Sequence, residues 1–168
     1  MEIAHLLWAT KTYLNECSYR VGPLAPEHRG SFNAVCDTAQ KIIVVDAERE
    51  PDAVLKSLWH ELGHAMFGVS GRLETRYEEE ERAAAFALTL CAYFLPIYNV
   101  LVGNEDEDWL WSKQDEALIQ SAIQGIKRNI EVLTHLQRFV RTGYSSTLRL
   151  DTIDKESYTH IYRATELD

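Results

Sequence analysis

Apolar residues recur at Ile3, Leu6, Leu7, Tyr13 and Leu14, a spacing of three and four that predicts an amphipathic helix over residues 2–20. Gly22, Pro23 and Pro26 then predict a loop. From Gly30 the period changes. GSFNAVCDT alternates, AQKIIVVDA is short and β-branched, and together they predict a hairpin of two strands. Pro51 suits the first turn of a helix. Val54, Leu55, Leu58, Leu62, Ala65 and Met66 give that helix a buried side as far as Phe67, with Gly68 and Gly71 to end it. A second helix is expected from near Thr75 to about Pro96, with the acid-rich YEEEE in its first turns, where carboxylates favour the helix dipole.

NEDEDW reads as an acidic loop. Beyond it, Leu118, Ala122, Ile126, Ile130, Leu133 and Leu136 predict a long amphipathic helix from Lys113 to Val140. It lacks a sustained heptad, so it is expected to pack on the domain rather than form a coiled coil. The tail segments STLRLDT and SYTHIYRA alternate weakly and can add one or two strands. The expected architecture is α+β and mostly helical. Residues 1–168 are expected to form a single domain with its core at about 30–96 and an extension at 113–168. In it a small sheet packs with the 51–67 helix, the glutamate-bearing helix after it and the long carboxy-terminal helix.

Charge narrows the function classes. A net charge of −9 disfavours binding to nucleic-acid backbone, which requires clustered Lys and Arg. The amino terminus has no basic segment ahead of a long apolar one, so no signal peptide is expected. AAAFALTLCAYFLPIYNVLVG is broken by Pro96 and Asn99 and reads as a buried helix rather than a membrane span. Cys17, Cys36 and Cys91 are scattered without a CxxC pair, which fits a reducing, cytoplasmic setting.

The chemistry is concentrated in WHELGHAMFG, Trp59 to Gly68. On a helix, His60 and His64 lie one turn apart with Cβ atoms about 5–6 Å from each other, so both can reach one ion. Zinc accepts imidazole nitrogen, and a catalytic site takes three protein ligands and leaves the fourth position to water. Glu61 stands beside that position and can accept a proton from a water whose pKa the metal lowers towards about 7. A satisfied pair of core histidines is the plain alternative, but the flanking apolar run and the mid-helix Gly63 favour the metal. Gly63 calls for a packing reason, since glycine there costs about 1 kcal/mol against alanine. The longer HExxHxxGxxH pattern is absent, since Phe67 and Ser70 stand where its glycine and third histidine would be. The remaining histidines, His5, His28, His135 and His160, are weaker ligand candidates than a glutamate from the Glu78–Glu81 cluster.

A strand KIIVVD, a helix ending in HELGHAMFG and then glutamates followed by AAAFA resemble the ImmA/IrrE family of zinc metallopeptidase-like proteins. The resemblance covers about residues 30–90. The family's second helix reads E-x-x-x-(Asn or Asp)-x-F-A, its glutamate being the third zinc ligand. Set on Phe86-Ala87, that pattern implies Glu80 as the ligand and puts Ala84 where the family has Asn or Asp. The resemblance implies a gluzincin-like fold, a Zn2+ ion held by His60, His64 and Glu80, and Glu61 as the catalytic base. It also implies proteolysis of a protein regulator, such as a helix-turn-helix repressor of a phage or mobile element. A different class of function remains open: a metal-stabilised protein that binds and sequesters a regulator without cutting it. Tyr77 is a minor candidate for steadying the oxyanion. Glu80 is expected to point inward over Ala83, Ala84, Ala87 and Cys91, with Glu79 as its nearest competitor.

Overall fold

A computed structural model describes residues 3–69, 72–94, 134–136 and 148–158. In chain order the elements are α1 (Ile3–Glu16), β1 (Arg20–Pro23), β2 (Ala34–Asp37), β3 (Ile42–Val45), α2 (Pro51–Phe67) and α3 (Arg76–Phe94). Short 3-10 turns occupy Pro26–His28, Leu73–Thr75 and Lys155–Ser157. The fold is mixed α+β. Among the described residues the sheet has three strands in the order β1-β3-β2, with β1 parallel and β2 antiparallel to β3.

The hairpin expected from the alternation is β2–β3, and Asp37 builds its turn. Asp37 Oδ1 accepts the amides of Ala39 (2.9 Å) and Gln40 (3.1 Å), a local turn that Asp favours. Ile42–Val45 is buried at all four positions because β3 is the central strand with both faces covered. Ile43 and Val45 pack with the helices, whereas Ile42 and Val44 join Leu24, Val35 and Tyr158 on the other face.

The expected loop at 20–26 is in part a strand, and the first helix stops at Glu16 rather than 20. Gly22 and Pro23 signal a break when read locally, yet neither disturbs β1. Arg20 and Leu24 donate their amides towards β3, to Lys41 and Val45, so the alternating register turns the Pro23 nitrogen to the outer edge, where the ladder needs no donor. At Gly22 a Cβ would come within 2.7 Å of the Asp151 carbonyl oxygen and of the Ile153 side chain. The tail passes there. Asp151 donates its amide to the Val21 carbonyl (2.7 Å) and accepts the Val21 amide through Oδ2 (3.1 Å). Tyr158 accepts the Ala25 amide at 2.9 Å, and Lys155 pairs with Glu27. Residues 148–158 thus line the outer edge of β1 without forming the strands expected of STLRLDT.

α2 begins at Pro51, as expected, and closes where Gly68 donates its amide to the His64 carbonyl at 2.8 Å. Trp59, fully buried, donates its indole N–H to Thr10 (3.0 Å) and so ties α2 to α1. Of the helix expected over 113–140, residues 134–136 are described and helical, with Leu136 in the main core; the rest lies outside the described residues. The acidic loop NEDEDW and the segment THIYRA lie outside them too.

Candidate metal centre

Helical spacing brings His60 and His64 together on α2, their ring centroids 4.9 Å apart and their planes near perpendicular. α3 then crosses α2 at Gly63. A Cβ on Gly63 would lie 2.9 Å from the Ala83 Cα and 3.3 Å from its Cβ, so glycine is what lets the two backbones meet. Phe67 and Phe86 stack edge to face at 5.9 Å beside this crossing. Glu80 spans the gap, with Oε2 2.9 Å from His60 Nε2 and Oε1 3.1 Å from His64 Nε2.

The ligand-type atoms of His60, His64 and Glu80 all lie within 4.8 Å of one another, and among the described residues they form the sole cluster of this kind. Two imidazole nitrogens and a carboxylate are the donor set that a catalytic zinc takes. Both Nε2 atoms converge on a single carboxylate, as they would on an ion. The residues therefore fit the metal.

Glu80 has the expected partners but not the expected surroundings. Its side chain is 53% exposed, whereas Glu79 is the glutamate that α3 buries, at 7%. The reason lies in the helix stripe. Glu79, Ala83 and Phe86 recur at the spacing of one face, and Ala83 and Phe86 are the residues pressed on α2. Glu80 reaches the histidines from the rim of that contact. Thr75, in the turn before α3, donates its hydroxyl to Glu79 Oε1 at 3.1 Å.

Electrostatics follow from burial and proximity. Burial pushes the Glu61 carboxyl up, and the neighbouring histidines only partly offset this. Burial also raises the Cys36 thiol, and the Glu61 charge adds to it. Burial alone would lower His64, but the hydrogen bond it donates to Glu80 and the charges of Glu61, Glu80 and Glu79 outweigh it and raise His64 above 6.5. Burial opposes ionisation of Glu80 as well, yet the hydrogen bonds from His60 and His64 hold its carboxyl well below the ordinary 4.5. His64 Nδ1 is buried and has no hydrogen-bond partner among the described residues.

The metal-free protein should therefore show a pH-dependent stability with two limbs. Glu80 is depressed, so its contribution is present above 4.5 and fades as pH falls towards its lowered value. His64 is raised, so its contribution is complete below 6.5 and disappears as pH rises through its folded value. Glu61 is raised by burial, so ionising it above 4.5 also works against the fold as pH rises. Urea midpoints measured in the presence of chelator should fall from mildly acidic to alkaline pH. His64→Gln should flatten the alkaline part, and an unchanged slope would count against the His64–Glu80 pair.

Tyr77 is not brought into the cluster. Its ring is exposed and its hydroxyl is taken by the Glu81 carboxylate. His135 stands against Tyr13 with ring centroids 5.5 Å apart, His28 sits 6.2 Å from the Tyr158 ring, and the His5 Nε2 is buried elsewhere. His160 lies outside the described residues. The burial of Glu79 had a signal in the sequence, since Ala83 and Phe86 follow it at helical spacing, but nothing local says which stripe of α3 meets α2. No protein-family model matches the chain, and comparison with curated proteins and with solved structures likewise finds no match.

Proposed function

We propose that this chain is a cytoplasmic, zinc-dependent endopeptidase. The observation that carries the reading is Glu80 meeting both His60 Nε2 and His64 Nε2, with the buried Glu61 one residue from His60 on the same helix. His60, His64 and Glu80 would hold the ion. Zinc in such a site supplies Lewis-acid chemistry, polarising a carbonyl and lowering the pKa of a water towards about 7. Glu61 then acts as general base. Burial lifts its carboxyl towards the working pH, which favours taking a proton from water and returning it to the leaving amine. The segment order that resembles ImmA/IrrE proteins makes a protein regulator the leading substrate class, in particular a helix-turn-helix repressor of a phage or mobile element. No described helix is long and apolar enough to cross a membrane.

One observation favours a second reading, that of a metal-stabilised protein that sequesters its regulator. Ala84 stands where the family pattern has Asn or Asp, and it offers no polar group to orient a histidine. Incubating the zinc-loaded protein with a random decapeptide library, and reading new termini by mass spectrometry, separates the two. Cleavage is expected with the wild type, and Glu61→Gln should retain zinc while cutting at least ~100-fold more slowly, as loss of a general base implies. Zinc uptake without any cleavage would favour sequestration, and undiminished cleavage by Glu61→Gln would remove Glu61 from the chemistry.

A further inference from the structure

A histidine that binds a metal through Nε2 must carry its proton on Nδ1. For His64 this has a specific consequence. Its Nδ1 is buried without a hydrogen-bond partner among the described residues, so metal binding would create a buried N–H that needs an acceptor. In the neutral, metal-free ring bonded to Glu80, the proton can sit on Nε2 and Nδ1 needs no acceptor. The demand arises when the metal replaces that proton.

Ala84, at the position where the resembled pattern has Asn or Asp, offers no side-chain acceptor. Among the described residues the buried carboxylates outside the metal cluster are Asp37, Asp46, Glu61 and Glu79, and Glu61 is the proposed base. Asp37 holds the β2–β3 turn through the Ala39 and Gln40 amides, and Asp46 accepts the Glu48 amide. Glu79 is the one on α3. It lies one turn before Ala83, whose backbone touches Gly63, the residue next to His64. The Thr75 hydroxyl fixes its orientation through Oε1. Glu79 offers no atom to the metal-type cluster of His60, His64 and Glu80, yet it is close enough for its charge to act on His64.

We propose that Glu79 is the positioning residue of His64, its carboxylate accepting the Nδ1–H that His64 carries when Nε2 binds the metal. This rests on the zinc reading above. Two adjacent glutamates of one helix then divide the work, Glu80 as ligand and Glu79 as the group that fixes the ring plane and tautomer of His64. Glu79 replaces in this chain what Ala84 cannot provide.

The test uses the full chain and zinc alone, with affinity read by competition against a chromophoric chelator and the His64 ring read by long-range 1H–15N NMR. The zinc-loaded wild type should show a slowly exchanging His64 Nδ1–H. Glu79→Ala should lose that proton signal and bind zinc about 10–100-fold more weakly, the usual range for losing such a partner. Glu79→Gln keeps a carbonyl acceptor and should retain the signal, with affinity close to wild type. A merely structural role would lower stability without moving the Nδ1–H resonance. If Glu79→Ala binds zinc as tightly as wild type with the signal intact, the inference is overturned. Absence of a protected Nδ1–H in the zinc-loaded wild type overturns it without any variant. A wild type that takes up no zinc overturns the metal reading itself, and this inference with it.

Discussion

His64→Ala should leave the purified chain without bound zinc, where the wild type carries about one ion per chain as a three-ligand site implies. The same is expected of His60→Ala and Glu80→Ala, because each removes one of three donors and two do not close a tight site. His64 should be the most damaging of the three. It is the more buried histidine, and it bonds Glu80 at 3.1 Å while standing next to the Gly63–Ala83 crossing. Glu78→Ala and Glu81→Ala should retain the metal, since neither carboxylate belongs to the cluster and Glu81 is occupied with Tyr77. Metal content measured by mass spectrometry decides this, and full retention in both histidine variants would sink the assignment. Because ligand atoms must shed protons to bind, zinc affinity should rise with pH through the raised His64 value. Chelator should lower the melting temperature of the wild type and leave His64→Ala unmoved, as linkage between binding and folding requires.

Gly63→Val should strongly destabilise the packing of α2 on α3. Even alanine there places a Cβ 2.9 Å from the Ala83 Cα, a backbone atom that cannot swing aside. Against this stands the higher helix propensity of alanine, worth about 1 kcal/mol. Overpacking a close-packed contact costs typically about 1–3 kcal/mol, so Gly63→Ala should come out modestly destabilising. The branched valine adds bulk at the same point and should cost more than ~3 kcal/mol, a loss of roughly 6–12 °C in a domain of this size. The metal centre should suffer with the fold. Glu80 reaches both histidines only because α3 lies against α2, so a shift at Ala83 moves its carboxylate off one or both. Thermal denaturation with and without zinc tests both parts. A Gly63→Ala variant that melts higher than wild type and binds zinc equally would show that the close approach is not needed.

Local sequence carried much of this molecule. Pro51 and the apolar positions from Val54 to Met66 marked α2 closely, because a helix is specified by neighbours three and four residues away. The same spacing made His60 and His64 a pair before any fold was known. The alternation of GSFNAVCDT and the β-branched IIVV marked the hairpin for the same local reason. Gly63 signalled a packing demand, though not its partner.

What escaped was decided by contacts between residues far apart in the chain. RVGP is a strand because β3 takes its inward amides and Asp151 caps its outer edge, and a run with Gly22 and Pro23 carries no trace of either partner. The glutamates of YEEEE are alike as a string. Their roles separate only when Ala83 settles on Gly63, which turns Glu79 into the core and leaves Glu80 on the rim within reach of two histidines. The family pattern indicated Glu80, whereas the inward-facing stripe assigned to it belongs to Glu79. Helical periodicity fixes which residues share a face; the rotation of one helix against another is set by packing, and the packing decided which carboxylate meets the histidines.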